Sequence, residues 1–437
     1  MPYADERAGL AAIQAIADSD EFEDFRARLQ PPRLNAVLDL PPFAPNPAGR
    51  SRTHLVAIDG SQVYDHFPGS LPDTQAGVVS LGVVVINLGK LASLQKLPQS
   101  RSVDPRELRN TEDGRSLGAL LPGSNAGTVD GLSPRDWFRQ RFNDILNNIS
   151  LGGETFAESL YHILGRDHEI RRCPNSKCSA RNLVMPSPGN QGTCSLCNTT
   201  ILTTDALRIH EQFIENQSAV ECHIRVMQTL EMLALVNSLR HLMKSEMGLT
   251  AITNTAFVMD GQLAAFGTIA VLAQAIRKEL QVIQKTLEER HPDAQLLVMS
   301  GVKSGPFVNH AEELDRAPAP NKRIPLNHYW LPNNQYIRDH IVAGHSDDPA
   351  PWGEVTHYGR PVILKTGSGQ RLVLNIAQPE VEPPLTDRGI PHVLGDAIGT
   401  AEPLGLGTDQ FLALRRAHRW AAIPLKTGTD LIHSLVT

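Results

Sequence analysis

Apolar and polar positions alternate between two periods along this chain, and the change of period predicts its elements. "HLVAIDGS", from His54, is an apolar run that ends in Asp-Gly-Ser and predicts a strand closing at Asp59. "GVVSLGVVVINLG" follows it, a β-branched run of the kind found in strands covered on both faces. In "SPRDWFRQRFNDILNNIS" Ser133 can cap a helix, Pro134 suits its first turn and Asp136 suits the positive end of its dipole. Apolar residues recur at helical spacing from Asp205 to Glu246 and predict one or two long helices. "NTAFVMDG" is a second strand running into Asp-Gly at Asp260, and residues 270 to 291 form a helix. "AQLLVMSGVKSG" reads as a buried strand and "RPVILKTGSGQRLVLNIA" as a hairpin turning at Gly367 to Gly369. "DQFLALRRAHRWAAI" reads as a helix. Strands alternating with helices, together with hairpins, indicate the α/β class: a mixed β-sheet core flanked by helices. Residues 1–50 are expected to be a helical arm, "FEDFRARLQ", and a Pro-rich connector that stops regular structure near Arg50, leaving 51–437 as the main domain.

Composition adds little to that picture but removes some options. The 437 residues are 41% hydrophobic and 20% charged, with a formal net charge of −6, which suits a globular protein and excludes a polybasic tail. A local basic groove for DNA remains compatible with this total. The first residues are acidic, where an export signal needs positive charge, and no apolar run approaches the roughly 20 residues of a membrane span. A cytoplasmic protein with no membrane partner is therefore expected.

Four of the five cysteines fall in two close pairs, Cys173 with Cys178 and Cys194 with Cys197, separated by a loop of 15 residues. That spacing presents four thiolates tetrahedrally to Zn2+, and a chain expected to stay in a reducing compartment gains nothing from disulfides there. Four protein ligands close the coordination sphere, so the expected role is structural: a zinc ribbon over 168–204, inserted within the main domain. Cys222, on a predicted helix, reads as a small buried side chain.

The acids carry the candidate chemistry. Asp59 and Asp260 each follow an apolar strand, where desolvation makes a carboxylate costly unless a cation or donor compensates. Asp-Gly is also a common turn dipeptide, but its recurrence in two strands of one α/β domain favours a site. Glu231 lies among Leu230, Met232, Leu233 and Leu235. Periodicity alone places it on the solvated face of an amphipathic helix, and only the constellation of acids directs it to a metal. Three carboxylates on Mg2+ or Mn2+ would serve phosphodiester hydrolysis. His418 is a candidate ligand or general base, although an isolated histidine on such a helix is more often a surface or packing residue, and Arg415, Arg416 and Arg419 are candidates to contact phosphate. Lys303, past a buried strand, can neutralise phosphate or simply be solvated.

Together, "AIDGS" with Asp59, "LEMLALVNSL" with Glu231, "VMDGQLAAFG" with Asp260, "GVKS" with Lys303 and "AHRWAAI" with His418 resemble the NurA nuclease family in their order, over residues 51 to 437. The resemblance implies an RNase H-like core, usually dimeric, with manganese-dependent nuclease activity on DNA. It implies a ring-shaped HerA-type translocase as partner in DNA end processing, and in bacterial members a role in defence against phage. Carried over, Asp59, Glu231 and Asp260 are metal ligands and His418 a further ligand or base. Three departures stand out. The gap from Glu231 to Asp260 is longer than in compact members, leaving Glu221 or Glu246 as alternative ligands. The family's aromatic residue two turns before the histidine has only Phe411 near it. The zinc ribbon is an insertion.

Other chemistries fare worse. Ser93 opens a Ser-x-x-Lys and Lys365 and Lys426 open Lys-Thr-Gly, but the Ser-Asp-Asn element of the serine acyl-transfer enzymes is missing. No P-loop motif is present, so any translocation belongs to a partner. The rival of a different class is a non-catalytic DNA-binding or scaffold subunit of a translocase complex that keeps the fold.

Overall fold

The structure, a computed structural model, describes residues 11–29, 42–49, 52–70, 72–95, 110–316, 323–342, 352–377, 390–401, 412–423 and 425–435. Most of the Pro-rich connector, Arg50 and Phe411 lie outside them. The chain divides into two units, Met1–Pro41 and Pro42–Thr437. In the first, helix α1 (Ala11–Ala17) precedes α2 (Asp20–Arg28). The Ser19 hydroxyl caps α2 by accepting the Phe22 N–H, with acids in its first turn and arginines in its last.

The second unit is built on nine strands. In chain order these are β1 (Ala44–Pro45), β2 (His54–His66), β3 (Gln75–Asn87) and β4 (Glu112–Pro122), then β9 (Thr255–Asp260), β10 (Leu297–Gly301), β11 (His328–Trp330), β12 (Gly359–Lys365) and β13 (Arg371–Ala377). Four short strands, β5 (Glu169–Arg172), β6 (Arg181–Val184), β7 (Gly192–Thr193) and β8 (Thr200–Ile201), form two separate hairpins around the cysteines. The large sheet runs β1-β11-β12-β13-β10-β9-β2-β3-β4. Its centre, β2-β9-β10, is parallel, and every other pairing is antiparallel. The mixed sheet expected from the sequence is thus present, as is the hairpin of β12 and β13.

One expectation is corrected. Asp59 does not end its strand, because β2 runs on to His66 and pairs with β3 residue for residue from His54↔Asn87 to His66↔Gln75. What ends near Asp59 is the neighbour: β9 pairs with β2 only as far as Ile58↔Met259 and stops at Asp260. The apolar pattern changes there because one flank of the strand opens, while the other stays paired.

Alternation along the strands divides the core between two faces. Val56, Ile58, Leu81, Val83, Phe257 and Met259 point to one face. It is covered by α4 (Pro134–Asn148), α5 (Phe156–Leu164), α6 (Val220–Leu242) and α8 (Val271–Arg290). The expected caps form: the Ser133 hydroxyl accepts the Asp136 N–H, and Pro134 lies in the first turn of α4. The long apolar stretch makes α6 and then α7 (Glu246–Thr253). Leu55, Ala57, Val84, Ile86, Ala256 and Val258 point to the other face. There they meet α3 (Leu88–Gln95), α10 (Ile390–Ala401) and α11 (Leu412–Ala421), while α9 (Pro306–Asp315) lies beside β12 and β13. Helix α12 (Leu425–His433) buries Ile432 against Val63, Phe67, Ala76 and Val78. Each such buried aliphatic or aromatic side chain contributes about 1.5–3 kcal/mol. Gly82 lets α11 touch the sheet, since a Cβ there would lie 2.5 Å from the Ala417 carbonyl oxygen and 2.7 Å from the Ala421 nitrogen. No helix among the described residues is long and apolar enough to cross a membrane.

Candidate functional site

Register brings the two aspartates together. Ala57 lies level with Val258 and Ile58 with Met259, so Asp59 and Asp260 follow at one level and, by alternation, on the face of α11. Asp59 is buried and Asp260 partly exposed. The Gly60 N–H donates to Asp59 Oδ1 at 2.8 Å, and His418 Nδ1 lies 3.0 Å from Asp59 Oδ2. Burial first and the Asp260 charge second push the Asp59 carboxyl up to about 6, against the opposing pull of His418 and the Gly60 N–H.

Glu231 reaches the same rim from the opposite face. Gly60, one residue past Asp59, points toward α6 and carries no side chain; a Cβ there would lie 2.6 Å from both Glu231 Oε1 and Met227 Cγ. The glutamate therefore rests against bare backbone in the flank that β9 leaves open. Burial, then Asp59, then Asp260 hold its carboxyl up at about 8, with the Gly60 N–H opposing. Tyr358, fully buried, stands close enough for Glu231 to help raise its phenol, and its O–H reaches Met259 Sδ at 3.5 Å. Glu231 thus faces the sheet rim instead of the solvated side that helical periodicity favours. The two alternative glutamates are engaged elsewhere: Glu221 pairs with Arg225 at 2.7 Å and Glu246 with Arg290 at 3.4 Å.

Two cationic or basic groups border the acids. Lys303, just beyond β10, places Nζ 3.0 Å from Asp260 Oδ1. His418 is 63% exposed at its side chain, and with Nδ1 on Asp59 it presents Nε2 outward. Arg415 and Arg419 are exposed beside it. Arg416 corrects the expectation of a phosphate contact, because it turns inward to Glu112 at 2.8 Å and to the Thr111 hydroxyl at 3.2 Å.

The donor set, carboxylate oxygens plus one imidazole, is of the kind a hard divalent cation takes, and a cation there would offset the burial and mutual charge that raise Asp59 and Glu231. Among the described residues, the four cysteines are the only group of three or more such side chains whose ligand atoms all lie within 4.8 Å of one another; Asp59, Asp260, Glu231 and His418 are not gathered that closely.

The cysteines make a closed centre that can hold a structural metal such as zinc. Cys173 and Cys197 Sγ lie 3.5 Å apart and Cys178 and Cys194 Sγ 3.8 Å apart. Burial pushes the Cys173 thiol up to about 12, while hydrogen bonds from Thr199 bring Cys197 down to about 6. All four must be thiolates to ligate zinc, so metal binding releases protons here. Cys222 is buried on α6 and apart from this centre, as expected.

Sequence reasoning missed Gly60 and Tyr358. Asp-Gly reads as a turn until the strand is seen to continue through it, and nothing in the "THYGRPV" context of Tyr358 ties it to a glutamate 127 positions earlier.

No protein-family model matches the sequence, and no curated protein matches it. Among solved structures, the crystal structure of the NurA nuclease from Sulfolobus solfataricus is similar over 98% of this chain and 96% of that chain, with 10% sequence identity and a TM-score of 0.35. At that level it assigns no residue.

Proposed function

We propose that the protein is a metal-dependent DNA nuclease of NurA type, with an RNase H-like core, that hydrolyses phosphodiester bonds. The observation that carries this reading is the placement of Asp59, Asp260 and Glu231 at one rim, where burial and the Asp260 charge raise Asp59, and burial with Asp59 and Asp260 raises Glu231. The order of the sequence motifs supports it independently. Asp59, Glu231 and Asp260 would hold Mn2+ or Mg2+, with His418 as a further ligand or base. When bound, the cations supply activation of water and charge stabilisation at the phosphate.

The chain's own residues then have separable tasks. Asp59 orients the His418 ring, so that Nε2 can take a proton from solvent water or return one to a leaving oxygen. Lys303 contributes a positive charge at the level of Asp260 that can engage a phosphate oxygen. Gly60, by lacking a side chain, leaves the space that Glu231 occupies. The family resemblance extends the proposal to a homodimer acting with a HerA-type translocase on DNA ends or single strands, in end processing or phage defence.

The test is purified protein with plasmid and single-stranded DNA in manganese. Asp59→Asn should lower cleavage by at least about a hundredfold with DNA binding retained, and His418→Ala by roughly 100-fold or more. Wild-type levels of cleavage in Asp59→Asn would sink the proposal. Function in the cell without any cleavage in vitro would favour the scaffold reading.

A further inference from the structure

The loop that leaves Asp260 is tightly held, yet it turns an aromatic ring outward. Its backbone is pinned to the segment before β12: the Ala265 N–H donates to the Thr356 carbonyl at 2.8 Å and the Tyr358 N–H to the Leu263 carbonyl at 2.9 Å, with Ala264 bridging His357. Leu263, Ala265 and Ile269 are buried to within 1% of completely, while Phe266 between them is 41% exposed. Leaving a phenyl ring in water forfeits burial energy that its neighbours collect, and the pinned backbone keeps it from turning inward.

Behind the ring stands a graded aromatic support. Phe266 meets His357 perpendicularly, with centroids 5.3 Å apart and planes at 86°. His357 tilts onto Trp352 at 4.2 Å, and Trp352 is backed by Phe307 at 5.4 Å and by the Arg360 guanidinium at 5.4 Å. Burial, with Arg360 and Arg277, holds His357 near 4, so the imidazole that meets Phe266 is uncharged at neutral pH. His357 meets the ring perpendicularly and covers at most one of its faces, and Tyr358, the next residue, lies close enough to Glu231 for that carboxylate to raise its phenol, so the ring is tied to the segment that borders the acidic rim.

Resting on the nuclease reading above, we propose that Phe266 is a stacking platform for an unpaired base of the DNA strand whose phosphate enters the acidic rim. A base in a duplex has both faces covered by its neighbours, whereas a base in a single strand or at a frayed end offers one, and aromatic stacking of that kind is tolerant of sequence. The platform thereby gives the site a preference for unpaired DNA.

Full-length protein is titrated, with no manganese or magnesium added so that no strand is cut, into a fluorescent single-stranded oligothymidylate and into an oligomer of equal length made of abasic residues. Wild-type protein should bind the base-bearing strand about tenfold more tightly. Phe266→Trp should keep that ratio. Phe266→Leu, which fills the same space without a π-face, and Phe266→Ala should bring it close to one while leaving affinity for the abasic strand unchanged, with melting temperatures confirming that both variants fold. A wild-type ratio in Phe266→Leu, or no discrimination by wild-type protein, overturns the platform. Cleavage of the same oligothymidylate in manganese is read separately, so a chain that discriminates bases but cuts nothing would sink the nuclease reading and leave the platform standing.

Discussion

At the scale of single residues, Gly60 decides the site. Its missing side chain admits Glu231, and its N–H donates to Asp59. The consequence is a pH-dependent strain that can be measured. Glu231 titrates near 8 in the fold against an ordinary 4.5, so the folded chain keeps a proton that the unfolded chain loses. Its contribution to stability is complete below about 4.5 and disappears as pH rises through about 8. Asp59 adds the same effect between its ordinary 3.8 and about 6. In EDTA, Glu231→Gln should therefore raise Tm by a few degrees at pH 8 relative to pH 4, and manganese should raise the wild-type Tm at pH 8 more than that of the variant. Thermal melts across this range check both; a difference that does not change with pH removes the account. Asp59 and Asp260 were legible because a carboxylate at an apolar run is conspicuous. Gly60 was not, since a dipeptide cannot reveal which of a strand's two neighbours ends beside it.

Among the elements, helices with local signals were readable to the residue. Ser133 and Pro134 fix the start of α4 through hydrogen bonding and a preset φ, both properties of neighbouring residues. The extent of β2 was not readable, because its second half is held by β3 across a hairpin instead of by a continuous apolar run. The two cysteine hairpins lie between these cases: their spacing announces a metal centre, and their small apolar cluster of Ile170, Met185 and Ile201 is too slight to fold without one. Elemental assay should find one zinc per chain. Cys194→Ser, or prolonged chelation, should expose residues 168–204 to protease while the far-UV signal of the large sheet persists. Intact hairpins in a zinc-free protein would refute the structural role.

For the whole molecule, the net charge of −6 does not preclude the proposed DNA contact, because Lys303 stands at Asp260 and Arg415 and Arg419 are exposed on the helix that carries His418. Binding to single-stranded DNA should weaken with salt, and Arg419→Ala should reduce the log–log slope by about 0.7, one phosphate contact. Arg416→Ala should instead lower Tm, since that guanidinium is committed to Glu112. A slope unchanged in Arg419→Ala would place the DNA elsewhere. Strand order was beyond the sequence: pattern shows that a segment is buried, but not that β9 enters between β2, about 200 residues before it, and β10, about 40 residues after it.

The pairing of Asp59 with His418 joins positions 359 apart, through a helix that can settle on Gly82 only after the sheet exists. While the ribosome is still making the later part of the chain, the emerging polypeptide has its first acid but not its imidazole. On the proposed reading, a copy clipped before α11 keeps both aspartates without the imidazole and is expected to cut no DNA.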